Sequence, residues 1–182
     1  MSARLPVENS DTVSLVCALL VRYPEIASMR STPGEGSVRF SFAVQNRLDR
    51  ASQRAIVEEI EAHVQGFLSL TAESGDVRVE CESDRAMSFV HVTRDLDTFS
   101  KDELTMLTAL FAGRFGAALV RNPVAEEHPD EDPAWQEEVV EAAIEALRDP
   151  AQSKSLVGFR EEKRVLVYFL KAQKKAKASA RR

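Results

Sequence analysis

The sequence predicts an α+β fold, a two-layer sandwich in which helices cover one face of a four-stranded antiparallel sheet. Two observations support this prediction. A strand, a Leu-Asp pair and a Ser placed to cap a helix occur twice, with a spacing of 48 residues between FAVQNRLDRAS and VHVTRDLDTFS. A second strand precedes each copy, so the chain contains two ββα units. With a first helix, the predicted order is helix, hairpin, helix, hairpin, helix.

The first unit follows a short apolar segment. The run over residues 10–20 favours a helix that Pro24 ends, although so dense an apolar run also fits a strand. Residues 26–30 then predict a modest strand, and a turn rich in Pro and Gly leads to residues 38–44, where apolar side chains alternate with polar or small ones. Ser52 is expected to open the first long helix.

The second unit repeats this pattern. Apolar and charged residues alternate over residues 77–82, and a strand is predicted over residues 87–94. Ser100 and Glu103 then have the spacing of a capping box, in which each side chain satisfies the backbone N–H of the other residue. Because neither unit can bury its apolar face alone, the two copies are expected to share one core.

The remaining chain predicts three further segments. Residues 122–133 are acidic and contain Pro, which indicates a solvated linker after a core domain over residues 1–121. Residues 134–170 predict a helix and a β-hairpin, and residues 171–182 a disordered basic tail. An isolated hairpin is marginal in water, so this hairpin is expected to dock on the main domain, on a second subunit or on a partner.

Charge and cysteine content indicate which partners and which cellular compartment to expect. The net charge is −5, yet the last twelve residues carry six Lys or Arg and no acid, so the other 170 residues sum to −11. Nucleic-acid contact is therefore expected only at the tail. The distant cysteines, Cys17 and Cys81, predict reduced thiols in a cytoplasmic protein. The apolar run over residues 13–21 follows acidic residues and is too short to span a bilayer, so we expect no membrane insertion.

No sequence motif indicates catalysis, a cofactor or a metal site. His63 lies one turn after Glu59, a pair that could orient an imidazole or bind a metal. With three histidines, no HExxH motif and no Cys cluster, the pattern favours a histidine on the flank of a helix. The sequence therefore predicts a non-enzymatic protein with no cofactor and no evident small-molecule substrate.

The register of the second unit predicts a candidate interaction surface. If Val90 and Val92 face the helices, period two places Met87, Phe89 and His91 on the opposite face of the sheet. Because that face is unusually apolar, we expect the C-terminal hairpin, a second copy of the chain or a partner to cover it, unless the register is shifted by one residue.

The C-terminal hairpin extends this candidate surface through Phe159 and Tyr168. The hairpin pattern places Phe159 on one face with Val157, Val165, Val167 and Phe169, and Tyr168 on the other. Strands this apolar are expected to be buried.

The basic tail is the second candidate for contact with a partner. It has no aromatic residue on which bases could stack, so only electrostatic contact with a phosphate backbone or an anionic membrane is expected. The candidate contact residues are Lys171, Lys174, Lys175, Lys177, Arg181 and Arg182. A solubilising tail is the alternative.

The element order over residues 10–120 resembles that of small bacterial secretion-chaperone-like domains, which implies a dimeric binding module. No functional residue carries over from that resemblance. The sequence thus predicts a cytoplasmic, chaperone-like protein-binding or adaptor protein that forms a homodimer. The alternative is an RNA- or ribosome-associated factor that uses the basic tail.

Overall fold

The computed structural model describes residues 9–121, 133–162 and 164–170. The helices in these ranges are α1 (Asn9–Arg22), α2 (Arg50–Leu70), α3 (Lys101–Phe115) and α4 (Pro133–Arg148). The strands are β1 (Ser28–Thr32), β2 (Ser37–Val44), β3 (Val77–Asp84), β4 (Met87–Asp95), β5 (Leu156–Glu161) and β6 (Arg164–Phe169). The first apolar segment is therefore a helix rather than a strand. Of these described helices, none is both long and apolar enough to cross a membrane.

All six strands form one antiparallel sheet in the order β3-β4-β2-β1-β5-β6. The predicted four-stranded sheet is wrong, because the C-terminal hairpin extends the sheet by pairing β5 with β1 from Ser28–Phe159 to Ser31–Leu156. This pairing satisfies backbone N–H and C=O groups that β1 would otherwise leave open at an edge. The hairpin gains the neighbours that an isolated hairpin lacks.

The described helices cover one face of this sheet. The rings of Phe42 on β2 and Phe111 on α3 stack with centroids 3.7 Å apart. At the other end of the sheet, a Cβ added to Gly158 of β5 would lie 2.7 Å from Leu20 Cδ1 of α1. Helix α2 packs against β3, and α4 packs against α1 and α3. One core cluster includes residues from all four helices, so the opposite face carries none of these helices.

The starts of α2 and α3 differ in detail from the prediction. Helix α2 begins at Arg50, and its cap is Asp49 rather than Ser52: Asp49 Oδ1 accepts a hydrogen bond from the Ser52 N–H at 2.7 Å. Ser100 caps α3 by accepting the Glu103 N–H at 3.2 Å. The predicted capping box is incomplete, because the Glu103 carboxylate is bound by Arg94 Nε at 2.6 Å. This ion pair links the first turn of α3 to β4.

The C-terminal helix and hairpin dock on the same chain. Arg148 Nε of α4 donates to the Leu96 carbonyl at 2.7 Å, and Arg160 Nε of β5 donates to the Ile26 carbonyl at 2.9 Å. Lys101 Nζ lies 2.9 Å from Glu141 Oε1, which adds a partly exposed ion pair between α3 and α4. The predicted division into a core domain and a separate C-terminal piece stays a prediction.

Candidate functional site

The side of the sheet without the described helices, here called the open face, carries the three predicted residues of β4. Val90 and Val92 are fully buried beneath the helices, as the sequence predicts. Met87, Phe89 and His91 alternate with them and are partly exposed on the open face. The predicted register of this strand is therefore confirmed.

A row of directly paired residues crosses the open face through five strands. His91 pairs with Ser41, Ser41 with Ser28, Ser28 with Phe159, and Phe159 with Leu166. Directly opposite residues of antiparallel strands share a face, so large side chains end this row on both sides and two serines occupy its middle.

This arrangement forms a shallow groove over β2 and β1, here called the sheet groove. The side chains on its floor are small, and the side chains of its walls are aromatic or aliphatic. Three strand spacings separate β4 from β5, so the two backbones that carry the walls lie roughly 14 Å apart. The floor residues are Ser28, Ser41 and Ala43, and the wall residues are Phe89 and His91 on one side and Phe159 and Leu166 on the other.

Hydrogen bonds fix one wall of the sheet groove. The Ser41 hydroxyl lies 2.8 Å from His91 Nδ1, and His91 Nε2 lies 3.2 Å from Glu82 Oε1. A serine, an imidazole and a carboxylate also occur together in hydrolases, where backbone N–H groups or side-chain donors beside the serine form an oxyanion hole. Ser41 is 8% exposed and lies where β2 is paired on both sides, so the ladder uses the neighbouring N–H groups. The hydrogen bonds with Ser41 and Glu82 hold the His91 ring in place on the wall.

Arginines lie at one end of the sheet groove. Arg30 and Arg39 stand directly opposite each other on β1 and β2, an arrangement of like charges that destabilises a sheet. Glu80 relieves part of this repulsion, because its carboxylate lies 3.3 Å from Arg39 Nη2 and 3.9 Å from Arg78 Nε. No carboxylate in the described ranges forms an ion pair with Arg30. This end of the groove is therefore suited to a negatively charged group.

The hairpin residues fall on faces other than those predicted. Phe159 and Tyr168 lie together on the open face, with ring centroids 6.1 Å apart. Val167, in contrast, pairs with Gly158 on the helix side of the sheet. The prediction that Phe159 and Val167 share a face is wrong, because Glu161 pairs with Arg164 and sets the hairpin register. Tyr168 is 51% exposed at the outer end of the open face.

The other candidate sites bring together fewer groups that could bind a ligand or act in catalysis. His63 Nδ1 lies 2.7 Å from the Glu59 carbonyl within α2, and the Glu59 carboxylate pairs with Arg114 at 3.1 Å. A shallow cleft of about 10 Å³ lies beside this pair between α2 and α3, about the space that a single water molecule needs. Among the described residues, no group of three or more His, Cys, Asp or Glu side chains is placed to hold a metal ion.

Two predicted segments cannot be related to this face. Residues 122–132 of the acidic linker and all six basic tail residues named above lie outside the described residues.

The floor of the sheet groove was not identified from the sequence. Ser41 and Ala43 alternate with buried aromatics and could have been placed on the open face, but the partnership of Ser28 with Phe159 has no local signal.

No protein family, curated protein or solved structure that we compared with this chain matches it.

Proposed function

We propose that this chain is a non-catalytic binding protein of the cytoplasm, and that its sheet groove binds an amphipathic helix of a partner protein. One observation carries the proposal. The described helices lie on one side of the sheet, and the other side presents aromatic walls that none of the described helices covers. A patch of this kind on a soluble protein usually marks a binding surface. The two free cysteines, Cys17 and Cys81, are compatible with a reducing compartment.

The dimensions of the sheet groove favour a helix. A helix with its side chains is about 10–12 Å across, similar to the roughly 14 Å between the two backbones that carry the walls. The floor residues Ser41 and Ala43 are only 8% and 4% exposed, so a partner helix would rest mainly on the walls, where Phe89 and Phe159 supply apolar surface. The partner helix should therefore carry an apolar stripe at i, i+3, i+4 and i+7 spacing.

The charges give the partner helix a direction. A carboxylate near Arg30 and Arg39 would offset the repulsion between these opposed guanidiniums. The C-terminus of a helix, or an acidic residue in its last turn, would supply this charge. Partner binding should then weaken as salt concentration rises, because part of the attraction is between exposed charges.

Substitution of Phe89 by Glu tests this proposal. The new carboxylate would stand on one wall, directly opposite Glu82 on the neighbouring strand, and oppose entry of an apolar helix. We expect at least a tenfold loss of captured partner when tagged chains are expressed in the source cell, which corresponds to about 1.4 kcal/mol. Binding is measured by quantitative mass spectrometry of the captured proteins.

A matched control makes this experiment specific. Leu70 is 90% exposed at the end of α2, away from the open face, so Leu70→Glu introduces the same charge without touching the sheet groove. The control should keep the partners of the wild type, and both variants should unfold at nearly the wild-type temperature. If Phe89→Glu folds and keeps every partner that Leu70→Glu keeps, the sheet groove is not the binding surface.

A further inference from the structure

The two edges of the sheet differ in chemistry. At one edge, the exposed positions of β3 are Arg78, Glu80, Glu82 and Asp84, and charges of this kind prevent pairing with another strand. At the other edge, β6 reads RVLVYF, with a single charge at its first position and no Pro. An apolar edge strand of this composition is a template for pairing with another chain.

The backbone groups that β6 leaves open can be identified. The Leu170 N–H donates to the Ser155 carbonyl at 2.7 Å. Because N–H and C=O groups alternate in direction along a strand, Tyr168, Leu166 and Arg164 point theirs toward β5. Val165, Val167 and Phe169 therefore point theirs away from the sheet, and no described strand pairs with them.

We propose that a second copy of this chain pairs with β6 antiparallel about a two-fold axis at Val167. Val167 then faces Val167 of the second copy, and Val165 faces Phe169 on the helix side of the sheet. Leu166 faces Tyr168 on the open face. All three outward-pointing residues of each copy form hydrogen bonds, and every apolar side chain from 165 to 169 meets an apolar one.

Charge favours this arrangement over its alternatives. A parallel pairing in register would place the two Arg164 side chains next to each other, whereas the antiparallel pairing places them at opposite ends. Pairing of β6 with the charged β3 edge of another copy would set Val and Phe against Arg and Glu, and it would build open filaments rather than a closed dimer. The β6–β6 contact closes at two copies.

An exposed apolar residue of helix α1 would extend the contact beyond one strand pair. Specific interfaces usually bury about 800 Å² on each partner, more than a six-residue strand provides. Helix α1 packs on β5 and β6 and exposes Val21, which is 37% accessible, while Tyr168 on the other side of the strand is 51% accessible. The product is a twelve-stranded sheet with two sheet grooves on the same face, roughly 30 Å apart.

Solution mass is the first test. The full chain should behave as a species of twice its mass of 20.2 kDa in sedimentation equilibrium at high concentration, and dissociate on dilution. A wild type that is monomeric throughout overturns the proposal. A dimer that appears only after deletion of residues 171–182 also overturns it, because the tail would then occupy the edge.

Two substitutions at Val167 test the position of the contact. Val167→Pro removes an N–H that points away from β5, which an edge strand tolerates, and it should halve the mass at concentrations where the wild type is a dimer. Val167→Thr keeps the N–H and should stay dimeric. A Val167→Pro chain that unfolds as cooperatively as the wild type yet remains a dimer locates the interface elsewhere.

Cysteine cross-linking tests the two-fold axis independently of stability. Opposite Cα atoms of a hydrogen-bonded pair are about 5.5 Å apart, within the range of a disulfide. Oxidised Val167→Cys should therefore give a disulfide-linked dimer on a non-reducing gel. Val165→Cys should not, because it faces Phe169 of the second copy. The wild type, with Cys17 and Cys81, gives the background; cross-linking equal to it, or a stronger dimer from Val165→Cys, contradicts the proposed register.

Discussion

The buried ion pair between β4 and α3 allows a quantitative prediction. Arg94 and Glu103 are both fully buried, and the guanidinium binds both carboxylate oxygens, with Nε–Oε1 at 2.6 Å and Nη2–Oε2 at 3.1 Å. Arg94→Met keeps most of the side-chain volume and removes the positive charge. Glu103 is then left as a buried carboxylate without a counter-charge. Breaking a buried pair from one side typically costs about 3–5 kcal/mol, and this is the loss that we expect at pH 7.

The reverse substitution should cost less. In Glu103→Leu, Arg94 still pairs with Asp95 and donates to the Asp76 carbonyl and to Thr98. We expect a loss of about 2 kcal/mol, the scale of hydrogen bonds to a charged group. The double variant removes both charges and should be more stable than Arg94→Met alone. The two effects should therefore be non-additive by about 2 kcal/mol or more.

The pKa of Glu103 predicts how the cost of Arg94→Met changes with pH. Burial raises the pKa of Glu103, and the Arg94 guanidinium opposes that effect. Without Arg94, burial and the nearby Asp95 carboxylate both raise the pKa of Glu103, so the folded pKa lies above the unfolded value of about 4.3. The penalty is present above the folded pKa and declines as the pH falls toward the unfolded pKa.

Urea unfolding at pH 7 and pH 5 measures these effects on the wild type, both single variants and the double variant. The difference in stability between Arg94→Met and the wild type should shrink at pH 5. A cost below about 1 kcal/mol at pH 7, or strict additivity of the two substitutions, would refute the reasoning from a buried and mutually dependent pair.

Two further predictions concern packing and acid stability. Gly158→Ala would place a Cβ 2.7 Å from Leu20 Cδ1 and should lower the free energy of unfolding in urea by about 1–3 kcal/mol. Gly66→Ala, with open space around the new Cβ, should be neutral or stabilising. Equal effects of the two substitutions would contradict the packing of α1 on β5. Burial acts to raise the pKa of Asp95, but hydrogen bonds from Thr98 and Arg94 outweigh it and lower the pKa. The stability that Asp95 contributes is therefore present above its unfolded pKa of about 3.9 and is lost as the pH falls through the lower folded pKa. The thermal unfolding temperature of Asp95→Asn should therefore change less with pH than that of the wild type below about pH 4. Parallel pH profiles of the two proteins would contradict this role.

Local periodicity accounts for the parts of the molecule that the sequence predicts well. Val90 and Phe89 could be assigned to opposite faces because side chains alternate within one strand, and that rule needs no partner. The pairing of β5 with β1 could not be assigned in this way. Ser28 and Phe159 are far apart in the chain, and no local pattern links two strands across that separation.

The hairpin register failed for a different reason. Glu161 pairs with Arg164, so odd-numbered positions of β5 share a face with even-numbered positions of β6. A shift of the turn by one residue exchanges the faces of a whole strand, and the charged run from Glu161 to Arg164 leaves the position of the turn open. The candidate surface nevertheless contained Phe159 and Tyr168, because both positions are aromatic in strands that the sequence identifies.

The central claim is that the open face binds a protein partner, and site-specific photo-cross-linking in the source cell tests it most directly. A photoreactive residue replaces Phe89 on the wall of the sheet groove or, as a control, Glu58, which is exposed on α2 on the other side of the sheet. We predict that position 89 traps a defined partner protein through one of its amphipathic helices, while position 58 does not. The same products from both positions, or no product from position 89, would contradict the claim.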